Sequence, residues 1–176
     1  MTEALDPDDI ALVTGQLGRE PRGIAAVAHR CPCGAPDVVA TLPRLPDGTP
    51  FPTTFYLTCP RLAAAVSTLE SDGVMREFHD RLGEDGGWAA AYERAHRAYL
   101  RSRSDLAAAA GLEAVPEIDG VSAGGMPHRV KCLHALAAHA LAAGPGVNPV
   151  GDETLARLDP WWSRLPCADP TAAEGT

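Results

Sequence analysis

The stretch Gly120–Gly146, GVSAGGMPHRVKCLHALAAHALAAGPG, constrains this chain more than any other. It opens as a turn rich in Gly and Ser, passes through Pro127, and runs on in Ala and Leu to Gly144-Pro145-Gly146, a strong helix terminator. The pattern predicts a helix of about four turns. On its projection Val130, Leu133, Ala137 and Leu141 share one face, and His128, Cys132, Ala135 and His139 share the other. A helix that is apolar on one side and small or soft on the other is buried on both, so it is expected to form the centre of the fold. Lys131, the only lysine among 15 basic residues, lies near its start.

Everything upstream reads as material to pack around that helix. Asp6-Pro7 caps a short helix that Gly18 stops. Small apolar residues from Gly23 to His29 suit a strand, and Arg30-Cys31-Pro32-Cys33-Gly34-Ala35-Pro36 suits a tight turn. Asp37–Leu42 and the β-branched and aromatic run Thr53–Thr58 complete three strands, which short connections make an antiparallel meander. Helices follow: one from Cys59-Pro60 to Gly73, a second over Val74–Leu82, and a third from Gly87 to Arg103 that Ala107–Leu112 extends weakly. In the third, Trp88, Tyr92, Ala95 and Tyr99 form a stripe whose reading is core packing. Asn148-Pro149 introduces a last short helix to Leu158. The expected class is therefore α+β: a small antiparallel β-meander followed by an α-helical layer with a buried central helix. Residues 1–158 are expected to form one domain and 159–176 a loosely packed Pro- and Ala-rich tail, with its Trp161 and Trp162 tucked back.

Charge narrows the function. A net charge of −8 argues against non-specific nucleic-acid binding and against an anionic membrane surface. The acidic MTEALDPDD start has no signal-peptide core, and His134 and His139 interrupt the richest apolar run, so the reading is a cytoplasmic protein. In that compartment 5 cysteines point to thiols or metal ligands rather than disulfides.

Four of them sit where a meander brings them together. Cys31 and Cys33 bracket a proline in the first turn, Cys59 ends the third strand at that same end, and Cys132 lies on the central helix. A four-thiolate site suits zinc or an iron–sulfur cluster. Cys-Pro occurs beside Cys31 and Cys59, as it often does next to cluster ligands, whereas zinc is the commoner occupant of four-cysteine sites. The competing reading is buried cysteines acting as small hydrophobes. His29, beside the turn, is a substitute ligand; Cys167 belongs to the tail.

A second constellation is Ser122, Gly124, Gly125, His128, Arg129 and Lys131. A glycine turn feeding a helix N-terminus offers amide N–H groups to an anion, and the basic side chains would add charge to hold a phosphorylated small molecule. The level alternative is a capped helix whose glycines permit close packing. Cys132 as a nucleophile with His134 or His139 as base is a weaker third reading.

The segments RGIAAVAHRCPCGAPDVVATLPRLPDGTPFPTTFYLTCPRL, AAAYERAHRAYL and GVSAGGMPHRVKCLHALAAHALAAGPGVNPVGDE together resemble a bacterial family, domain of unknown function 501, over about Arg22–Leu158. The resemblance implies a source among high-GC Gram-positive bacteria. It also implies gene neighbours that encode enolase, a septum-formation initiator and an exopolyphosphatase. It carries no activity and no catalytic residues. The expectations are thus a four-cysteine metal or cluster protein, an enzyme or sensor for a phosphorylated small molecule, or an interaction module with a protein partner in cell division or polyphosphate metabolism.

Overall fold

The computed structural model describes residues 2–163, and the chain enters it through α1 (Pro7–Leu17). Asp6 accepts from Asp9 N at 2.7 Å and Gly18 closes the helix with φ 65, as the sequence predicts. Strands β1 (Ile24–Arg30), β2 (Pro36–Thr41) and β3 (Phe55–Leu57) form one antiparallel sheet in chain order. The meander is as expected, with a shorter third strand. Five helices follow: α2 (Pro60–Ser71), α3 (Val74–Glu84), α4 (Gly86–Ala109), α5 (Leu133–Ala143) and α6 (Pro149–Ala156).

The sheet is covered on both sides. Every residue of β2 is buried. Val38, Ala40, Phe55 and Leu57 join Leu133, Leu136 and Ala137 of α5 in the main core. Val27 and Val39, register partners in the sheet, are buried outside that cluster, and α1 packs on β2 through its buried Val13. Helix α5 packs against all three strands, α2 and α6. Leu136, Ala137, Ala138, His139 and Ala140 are all buried, so the central helix is closed on every side, as its composition demands.

The stripe on α4 is core packing too. Trp88, Tyr92, Ala95 and Tyr99 are buried, and Trp88 meets Phe78 of α3 edge-on at 5.5 Å. The stripe continues one turn further to a buried Arg103.

One element departs from expectation. The central helix starts at Leu133, two turns later than Pro127. Gly124 and Gly125 adopt φ 68 and 94, which a right-handed helix cannot hold. The chain folds back on itself there, with Lys131 N donating to Gly124 O at 2.7 Å and Arg129 N to Gly125 O at 2.9 Å. Val130–Cys132 then lead without regular structure into the helix, Cys132 with extended backbone. Trp161 packs against the core; the rest of the expected tail from 164 on, Cys167 included, lies outside the described residues. No described helix is long and apolar enough to cross a membrane.

Candidate functional site

Cys132 is the N-cap residue of α5, with extended backbone and no side-chain capping bond. The capping role falls to Glu70, near the end of α2, whose Oε1 accepts from Leu133 N at 2.6 Å. A carboxylate at a helix N-terminus satisfies an orphan amide and meets the positive end of the dipole. The seat that the sequence offers to a ligand anion is therefore elsewhere than expected, and at Leu133 the protein's own carboxylate occupies it.

His134 completes the group. Its Nδ1 lies 3.1 Å from the same Glu70 oxygen; its Nε2 lies 3.0 Å from Ala63 O and 3.2 Å from Ser67 Oγ. Acceptors on both ring nitrogens favour the charged imidazolium. The hydrogen bond with Cys132 and the Glu70 carboxylate outweigh burial and move the His134 pKa up to about 9. Ligand atoms of Glu70, Cys132 and His134 all lie within 4.8 Å of one another, and all three side chains are half-buried. Among the described residues this is the group of three or more such side chains with metal-ligand spacing. Cys132 and His134 also line a cleft of about 550 Å³ whose other walls include Leu57, Pro60 and Ala135.

The four predicted cysteines are not that group. The first turn and the end of β3 lie at the same end of the sheet. The first turn closes through Gly34 N to Cys31 O at 2.8 Å, and the end of β3 lies beside it, with Thr58 N donating to Asp37 O at 2.9 Å. Cys31 and Cys59 are both buried in the main core while Cys33 is exposed. Among the described residues, however, no three of these four cysteines have ligand atoms all within 4.8 Å of one another, whereas Cys132 shares that spacing with Glu70 and His134. His29 is turned to Asp37, its Nδ1 2.7 Å from a carboxylate oxygen.

The residues of the predicted anion site are placed by the glycine turn. Ser122 Oγ donates to Met126 O at 3.2 Å and lies 2.9 Å from His96 Nδ1. Burial lowers the His96 pKa, and the charges of His128, Arg97 and Arg103 add to that effect against Glu93. His128, Arg129 and Lys131 are exposed. A Cβ on Gly124 would stand 2.6 Å from the Leu136 side chain, so this glycine permits close packing on α5. The turn's carbonyls are engaged by its own backbone, and no helix begins there.

Sequence reading missed Glu70, which lies 62 residues before Cys132 in an unremarkable helix end, TLES. Only the packing of α2 on α5 brings it in. His134 was visible as a Cys-x-His pair, and its role as a neighbour of Cys132 was within reach of the sequence.

A small α+β fold with a half-buried Cys/His/Glu group, two of whose members line a cleft, defines the class of protein. The chain belongs to the family described as protein of unknown function (DUF501), whose model matches residues 27–156, more than half the chain. Neither the curated proteins nor the solved structures yield a match.

Proposed function

We propose that the protein binds a single divalent metal ion, zinc by its donor chemistry, through Glu70, Cys132 and His134. The observation that carries this reading is the spacing of their ligand atoms, within 4.8 Å of one another. The donor set is the borderline mixture of sulfur, nitrogen and oxygen that zinc accepts, and it suits one ion better than an iron–sulfur cluster. The surroundings fit as well. Nε2 of His134 faces Ala63 O at 3.0 Å, the backbone partner that usually fixes the far nitrogen of a ligating imidazole. Nδ1, facing Glu70, is then the ligating atom, and the metal takes the place of its proton. Three protein ligands leave a fourth position, and the cleft beside Cys132 gives it access.

The four-thiolate reading is supported by the neighbouring turn and strand end, and it shares Cys132. The two are separable by metal analysis of protein purified without chelator. Cys132→Ser removes a ligand in either case. Glu70→Gln and His134→Asn should abolish stoichiometric zinc under the proposed centre, and Cys31→Ser and Cys59→Ser should leave it intact. The opposite pattern moves the metal to the four cysteines. Wild-type protein that carries no metal and takes up no added zinc ends both readings.

A further inference from the structure

Arg103 ends the buried stripe of α4. It is only 7% exposed, yet among the described residues no carboxylate forms an ion pair with it. Nε donates to Thr54 Oγ1 at 3.2 Å, one terminal nitrogen to Ile118 O at 3.2 Å, and the other to Pro52 O at 2.5 Å. The Tyr99 ring lies 5.4 Å away. All of these partners are neutral. A guanidinium carries five N–H groups, so one remains on each terminal nitrogen. A buried cation held only by neutral acceptors is costly, because its charge has left water without meeting an opposite one.

Arg103 also lines a cavity of about 270 Å³ between the end of α4 and the segment 112–120. Leu100, Leu112 and Val115 supply apolar walls; Glu113 and Asp119, both exposed, complete the lining. At roughly 30 Å³ for each water-sized group, this space takes a molecule of up to about nine non-hydrogen atoms.

We propose that this cavity is a binding site for a small aliphatic monocarboxylate. The carboxylate accepts the two remaining N–H groups of Arg103, a planar fork that matches its two oxygens, and the hydrocarbon lies along Leu100, Leu112 and Val115. Glu113 and Asp119 place negative charge around the opening, so a second charge on the ligand is disfavoured. The site is independent of the metal centre.

Titration calorimetry and thermal melting of the full chain, at fixed ionic strength, test the proposal with hexanoate, butyrate and inorganic phosphate. Hexanoate should bind saturably and raise the melting temperature, butyrate should bind more weakly, and phosphate should do neither. Ala107→Phe fills the cavity from the α4 wall while keeping Arg103, and should weaken hexanoate at least tenfold. Arg103→Met should do the same; if that variant does not fold, the Ala107→Phe result decides. The proposal is overturned if hexanoate shows no saturable binding, if phosphate stabilises equally, or if Ala107→Phe binds as wild type does.

Discussion

Gly151 shows how tightly single positions are set in this protein. It lies on α6 against α5, and a Cβ added there would stand 2.7 Å from Ala140 Cβ and inside the van der Waals envelope of Leu136 O. Its backbone is helical, so the requirement is for space and not for a special φ. Gly151→Ala should therefore separate α5 from α6 and cost roughly 1–3 kcal/mol, read as a lower denaturation midpoint with unchanged slope. In the sequence this glycine is indistinguishable from the neighbouring Gly144 and Gly146, which end a helix. Cys132 was legible because a thiol is a conspicuous ligand type, one of four cysteines singled out in the sequence. Glu70 was not, because a carboxylate at a solvated helix end is the ordinary case.

At the scale of elements, Asn148 joins two helices. Its Oδ1 accepts from Gly151 N at 3.1 Å and so caps α6, while its Nδ2 faces Leu136 O at 3.4 Å and His139 Nδ1 at 3.2 Å. One side chain thereby ends the chain's exit from α5 and starts α6 in register with it. Asn148→Ala removes the cap and leaves the buried Nδ1 of His139 without its donor; a loss of about 1–3 kcal/mol is expected by chemical denaturation. Asn148→Asp restores the cap acceptor alone. If it recovers the full stability, the link to α5 contributes nothing. The cap was readable from Asn-Pro, whereas the bond to His139 was not. The start of α5 was misplaced for a related reason: Ala/Leu periodicity identifies a helix but carries no information on whether two preceding glycines turn the chain back.

For the molecule as a whole, the buried histidine sets an acid limit. His139 lies between Phe55, stacked at 5.7 Å, and Tyr99, edge-on at 5.1 Å, with Asn148 donating to its Nδ1. Among the described residues nothing anionic faces it, and burial pushes its pKa down to about 4 from an ordinary value of 6.5. Below pH 6.5 the unfolded chain takes up a proton that the folded one refuses, so the contribution is complete above 6.5 and is lost as pH falls towards 4. His139→Phe removes this dependence. The stability gap between wild type and variant should therefore move by roughly 2–3 kcal/mol in favour of the variant between pH 7 and pH 4. A gap constant with pH would show that His139 is solvated in the folded state.

Local chemistry was enough for the sequence alone to determine the α+β class, the three-stranded meander, the caps of α1 and α6 and the burial of the central helix. Strand propensity, Pro and Gly punctuation and apolar periodicity act within a few residues, and here they agree with the tertiary packing. The tertiary structure alone decided which groups meet. Glu70 reaches His134 because α2 lies along α5, and Arg103 is enclosed because the chain after α4 returns over it. Both depend on contacts between distant segments, whose partners no local pattern specifies.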